Sequence, residues 1–169
     1  MSNSAQATFA INYNSVHMFN TDLQRAKATN EVSVIKKMST MIDIKGAHSA
    51  DRMWIFSDST CTNSFDNGYD GFKLLGSSLS PQLFAFGADG EYQVSAVKDM
   101  NNTELGFQAG QDSEYTLTFT HENVESKYAG IYLVDLVENK TIDITANGSK
   151  YTFVSEPTAS TVKRFKYVN

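Results

Sequence analysis

The sequence predicts an all-β protein: an antiparallel β-sandwich with a jelly-roll-like course. Three observations carry this expectation. Apolar and polar residues alternate with period two in one segment after another, clusters of Gly, Asn and Asp separate those segments, and the chain has two prolines and no sustained helical periodicity. Strand signals recurring at intervals of roughly 8–12 residues are the pattern of a sandwich or jelly roll.

The first strand-like run is "TFAINYNSV" (8–16). The stretch Asn20 to Lys37 follows, where Leu23, Ala26 and Lys27 would suit a helical turn but "EVSVI" alternates, so it reads as a mostly extended connection. Residues 1–38 are thus expected to be a lead-in and residues 39–169 the sandwich body, one domain overall. "TMIDIK" (40–45) turns Ile42 and Ile44 inward, and "RMWIF" (52–56) is dense enough in apolar residues for a central strand with Trp54 in the core. "TELGFQA" (103–109) offers Leu105 and Phe107. In "EYTLTFTHE" (114–122), Tyr115, Leu117 and Phe119 face a core while Thr116, Thr118 and Thr120 face water. "GIYLVDLV" (130–137), carrying Leu133, reads as a second central strand; "TIDIT" (141–145) and "KYTFV" (150–154) close the series with Ile142, Ile144, Tyr151 and Phe153. Between them lie "FDNGYDG", "GADGE", "DMNNTE", "QAGQDS", "VENKT" and "TANGSK", of which Asp-Gly and Asn-Gly are the strongest tight-turn signals because they tolerate positive φ.

Composition excludes several classes. Fourteen basic against 19 acidic residues give a net charge of -5, and apart from "VKRFK" near the end the basic residues are scattered, so no nucleic-acid footprint is present. No apolar stretch approaches the ~20 residues of a membrane span, and "MSNSAQATFA" lacks the pattern of a secretory signal. The single Cys61 has no partner for a disulfide or a CxxC metal site and is expected to be a small, partly buried side chain. His17, His48 and His121 stand at no ligand spacing and are expected at partly exposed or loop positions. No G-x-S-x-G elbow surrounds any serine, so no nucleophile is assigned and the chain is read as non-enzymatic.

The chemistry-bearing candidate is "FDNGYDG" (65–71). Asp66, Asn67 and Asp70 offer the hard oxygens that Ca²⁺ prefers, and Gly68 and Gly71 let the backbone fold around an ion. Calcium takes six to eight ligands, so Asp51, Asp58 or backbone carbonyls would have to join them. The competing and preferred reading is a structural clasp in which Asp66 and Asp70 accept backbone N–H groups. A glycosidase pair is disfavoured, because that chemistry sets two carboxyls across a cleft rather than side by side. Tyr69, Tyr92 and Tyr128 lie in or beside loops and are the candidates for exposed rings that stack on glycans.

The run from "DRMWIF" through "FDNGYDGFKLLGSSLSPQLFAFGADGEYQVSAVKDMNNTELGFQAGQDSEYTLTFTHENVESKYAGIYLVDLVENKTIDIT" to "YTF" and "VKRFK" resembles a β-sandwich module of Bacteroidetes surface and secreted proteins. In those proteins the module lies near the C-terminus, upstream of the sorting domain of the type IX (Por) secretion system. "NYNSV" and "QRAKA" resemble its lead-in, so the likeness extends over nearly the whole chain. The resemblance implies an extracellular or cell-surface setting and an accessory role as spacer, assembly or adhesion unit. Protein partners or surface glycans would be its contacts, with no required cofactor. Two departures stand out: the sequence stops at "FKYVN" without a sorting domain and opens on Met1 without a signal. They fit an excised piece or a complete short gene. In the latter case the alternative is a virion structural protein, a capsid decoration or fibre component of a phage infecting such bacteria, assembled as a symmetric oligomer. A carbohydrate-binding module is the second alternative.

Overall fold

The structure, a computed structural model, describes residues 37–158 and 160–169. The strand expected at 8–16, the connection up to residue 36 and His17 lie outside the described residues. Eleven strands follow in order: β1 (Met38–Lys45), β2 (Ala50–Ser57), β3 (Gly71–Phe72), β4 (Gln82–Phe86), β5 (Glu91–Val97), β6 (Thr103–Gln108), β7 (Glu114–Glu122), β8 (Tyr132–Asp135), β9 (Lys140–Asp143), β10 (Lys150–Val154) and β11 (Val162–Val168), with a 3-10 turn at Val124–Ser126. They form one hydrogen-bonded path, β10-β7-β1-β2-β5-β4-β6-β11-β8-β9, with β3 attached to β5. The β2–β5 pairing is parallel and the others are antiparallel.

The path curls until distant strands face each other. Phe153 on β10 meets Phe107 on β6 edge-on at 5.2 Å and Phe165 on β11 at 5.1 Å between ring centres. The result is the expected all-β, largely antiparallel, nearly closed sandwich of jelly-roll-like form. Ile42, Ile44, Met53, Ile55, Leu117 and Phe119 from one half meet Leu83, Leu105, Leu133 and Phe165 from the other, and all are fully buried. Each such side chain contributes roughly 1.5–3 kcal/mol by leaving water. On β7 the alternation holds throughout: Tyr115, Leu117, Phe119 and His121 are buried, and the threonines between them are not.

Two expectations are corrected. Trp54 is only partly buried, because Met53 and Ile55 take the inward positions of β2. Antiparallel pairing places Met53 opposite Ile42 and Ile55 opposite Thr40, both inward, and leaves Trp54 opposite Met41 on the outer face. There the Arg52 guanidinium lies 5.7 Å from its ring centre. The run "GIYLVDLV" forms a strand only over Tyr132–Asp135, since Asp135 Oδ1 accepts the N–H groups of Val137 and Glu138 at 2.9 and 3.1 Å and draws the chain into a turn. Leu136 and Val137 are consequently exposed. Turn chemistry also falls differently from expectation. Asn102, Asn123 and Asn139 adopt positive φ along with Gly68 and Gly148, while the Asp89–Gly90 turn does without it.

The buried charges and the buried histidine inside the sandwich are paired. Nη2 and Nε of Arg164 donate to Asp135 Oδ2, and the Tyr151 hydroxyl donates to the same oxygen. His121, expected at a partly exposed position, is buried because it occupies the next inward site of β7 after Phe119. Its Nε2 donates to the Ile144 carbonyl at 2.8 Å, and its Nδ1 lies 2.9 Å from Thr40 Oγ1, which in turn lies 2.9 Å from the Tyr167 hydroxyl. Burial holds the His121 pKa below its ordinary value and pushes the Tyr167 hydroxyl up to about 12.

Candidate functional site

The "FDNGYDG" loop joins β2 to β3 and is organised by its two carboxylates. Asp66 Oδ2 accepts the Thr62 N–H at 2.6 Å and the Thr62 hydroxyl at 3.1 Å. The Asp66 carbonyl accepts the N–H groups of Tyr69 and Asp70, each at 3.0 Å, closing a turn that Gly68 completes at φ 85°. Asp70 then works in two directions. Its Oδ2 accepts the Asp66 N–H at 2.7 Å, and its Oδ1 accepts the Ala96 N–H of β5 at 2.6 Å. This last bond extends the short β3–β5 pairing by one carboxylate, which stands where a strand carbonyl would otherwise be needed. Asn67 is exposed at the tip.

A third carboxylate holds the loop from the β4–β5 turn. Asp89 accepts the Phe65 N–H at 3.1 Å and also the Tyr92 hydroxyl. That hydroxyl, followed by the Phe65 N–H, keeps the Asp89 pKa below the ordinary carboxylate value, while burial and then Asp89 itself raise that of Tyr92. Above this anchor the Phe65 and Phe72 rings stack at 4.5 Å, and Phe72 and Tyr92 at 5.3 Å. The residues at which further calcium ligands were expected are engaged elsewhere. Asp51 pairs with the buried Lys73 ammonium and accepts the Leu83 N–H at 2.7 Å, and Asp58 accepts the N–H and hydroxyl of Thr60. Among the described residues, no three His, Cys, Asp or Glu side chains converge on one point suited to a metal.

The three tyrosines separate. Tyr69 is 41 % exposed, with Lys37 Nζ 4.5 Å from its ring centre. Tyr92 and Tyr128 are buried, at 2 % and 8 % exposure, so the expectation of exposed rings is corrected for both. Each ring covers the core edge, and each hydroxyl donates to an aspartate: Tyr92 to Asp89, Tyr128 to Asp99 at 2.9 Å.

Beside the clasp lies a cleft of about 540 Å³, lined among others by Asp70, Phe86, Ser95, Asn102, Glu104 and Lys163. Its origin is topological. β4 lies between β5 and β6, but it pairs with β5 only at Ala85 and Phe86, and with β6 from Gln82 to Ala85. β5 leaves β4 beyond Tyr92, and the cleft opens between Ser95–Val97 of β5 and Thr103 and Glu104 of β6. At the rim Lys163 Nζ donates to Glu104 Oε2 at 2.5 Å and sits 5.3 Å from the Phe86 ring centre. Sequence reasoning missed this cleft because its lining residues are brought together by strand order alone. A second depression, of about 520 Å³, surrounds the β1–β2 turn. There Asp112 accepts the His48 N–H and lies 2.5 Å from His48 Nδ1, and these contacts hold the Asp112 pKa below the ordinary value. Cys61 is buried, and desolvation raises its thiol pKa, the reverse of what a nucleophile needs.

No protein-family model matches the chain, and no solved structure matches it. Over 117 residues, 68 % of this chain, it is 42 % identical to the minor fimbrium subunit Mfa5 of Porphyromonas gingivalis. The aligned part is 9 % of that relative's length, so the chain spans far less than the whole of the protein it matches. This β-sandwich is therefore similar, over most of its own length, to one short part of a Bacteroidetes fimbrial surface protein.

Proposed function

We propose that the chain is a non-enzymatic accessory module of a Bacteroidetes surface protein, a rigid unit that spaces or assembles the parts of a longer extracellular polypeptide. The carrying observation is the identity of 42 % to a stretch making up only 9 % of the minor fimbrium subunit. A segment of domain size inside a much longer chain is the usual relation of a module to its parent. The layered core supports the reading, since it couples strands from both halves of the described sequence into one unit. The chemistry around the loop supports it too, since its carboxylates are spent on backbone N–H groups. Protein partners or surface glycans are the contacts of such a module, and the type IX route is the export path that the family resemblance implies.

The test is immunogold labelling of the cells that make the protein, with antibodies against the folded module. Label on intact, unpermeabilised cells is the expected outcome, together with a monomeric mass for the isolated chain by light scattering. Label that appears only after lysis would overturn the surface reading. Label on phage particles, with a symmetric oligomer in solution, would replace it with a virion role.

A further inference from the structure

We propose that the cleft between β5 and β6 binds a neutral polyhydroxylated ligand, a hexose-sized unit of a glycan. This goes beyond the module reading, which stands or falls separately. The first observation is the opening itself, a built discontinuity in the sheet whose volume of about 540 Å³ lies in the usual range of small-molecule sites. The second is Ser95. This residue is 3 % exposed and lines the cleft, yet among the described residues its hydroxyl has no hydrogen-bond partner. Among the described residues no fully enclosed side-chain polar atom goes unpaired, so the Ser95 hydroxyl keeps its residual exposure toward the cleft. Open to the cleft, this hydroxyl is free to meet a partner from outside the fold, and it can donate and accept at once, as a sugar hydroxyl does.

The remaining lining selects charge. Among the described residues Lys163 is the single cation of the wall, and Glu104 neutralises it at 2.5 Å, which leaves an anion no unpaired positive charge there. The carboxylates are spent as well. Asp70 keeps its charge but spends both oxygens on the N–H groups of Asp66 and Ala96, while Asp99 holds the Asn101 N–H, the Tyr128 hydroxyl and the Lys127 ammonium, so neither presents a free pair of oxygens to a cation. What the cleft offers is Ser95, the carboxamides of Asn63 and Asn102, and the apolar wall of Phe86, a combination that suits the hydroxyls and C–H faces of a sugar ring.

The experiment is a two-dimensional ¹⁵N NMR titration of the full chain with the methyl glycosides of glucose, galactose and mannose. Sodium galacturonate and free lysine serve as the anionic and cationic controls. At least one neutral glycoside should give saturable shifts at Phe86, Ser95, Asn102 and Lys163, with affinity roughly tenfold weaker in Ser95→Val and in Asn102→Gly. Glycine accepts the positive φ of 64° at position 102, so the second variant removes a rim side chain without straining the backbone. No response to any neutral glycoside would overturn the proposal. So would binding of galacturonate or lysine alone, shifts confined to Tyr69 and its surroundings, or an affinity unchanged in both folded variants.

Discussion

Arg164 and Asp135 form an ion pair inside the sandwich, with Nη2 and Nε of the arginine at 3.0 and 3.1 Å from Asp135 Oδ2 and both residues almost wholly buried. The surrounding groups leave neither charge alone: Tyr151 donates to Oδ2, Val137 and Glu138 donate to Oδ1, and Arg164 Nη1 reaches the Val154 carbonyl at 3.2 Å. The guanidinium also lies 4.1 Å from the Phe153 ring centre. Removing one member strands the other in a dry interior. Arg164→Met is expected to cost ~3–5 kcal/mol in urea unfolding, and the Arg164→Met/Asp135→Leu double variant should recover a large part of that loss. A cost under about 1 kcal/mol for the single variant would show that water reaches the pair.

The clasp makes its own prediction. Asp70→Ala releases the N–H groups of both Asp66 and Ala96 and should lower stability by about 1–3 kcal/mol. A calcium site built on Asp66, Asn67 and Asp70 would have to compete with those same donors, so the melting temperature is expected to be equal in excess calcium and in chelator. A real site would add ~4 kcal/mol at a thousandfold excess over Kd. A rise of several degrees that disappears in Asp66→Ala would make the loop a metal centre.

His121 sets an acid limb. Burial lowers its folded pKa below the unfolded value of 6.5, so between the two values the unfolded chain binds the proton and the folded one does not. Its contribution is therefore complete above pH 6.5 and is lost as pH falls from there through the depressed folded value. Thermal melts across that window should show the wild type losing stability and His121→Gln losing less. Parallel curves would place the acid sensitivity in other groups.

Phe119 and Trp54 reverse the expectation that size alone decides. Phe119→Ala, at a fully buried position, should cost roughly 3–5 kcal/mol. Trp54→Ala, on the outer face of β2, should cost clearly less despite removing the larger ring. Chemical denaturation of the two variants side by side would reveal an inverted face if the order came out the other way.

Where one face of a strand meets water the fold was legible from the residues: β1, β7 and β10 carry the alternation that their neighbours enforce. β4 escaped because four of its five residues, Gln82 to Ala85, are buried on both faces and leave no period to read. β11 escaped for another reason. A bulge between Lys163 and Phe165 sends the adjacent Arg164 and Phe165 both inward, so "VKRFK" imitates an exposed basic cluster. At the candidate site, Asp66 and Asp70 were readable because their turn is local. Asp89, Ala96 and Ser95 were not, since only the docking of β3 and β4 on β5 brings them to the loop and the cleft.

The position of β11 has a consequence in time. It lies between β6 and β8, so the layer that contains the Arg164 pair and one wall of the cleft has no common partner until Val162–Val168 arrive. A chain delivered from its N-terminus onward, from a ribosome or through a narrow channel, would bring β1, β2 and β7 together early and still hold β6 apart from β8–β9. Contacts of such long sequence separation form slowly. The unfinished layer would keep the polypeptide pliable during passage, and the arrival of one strand would set it.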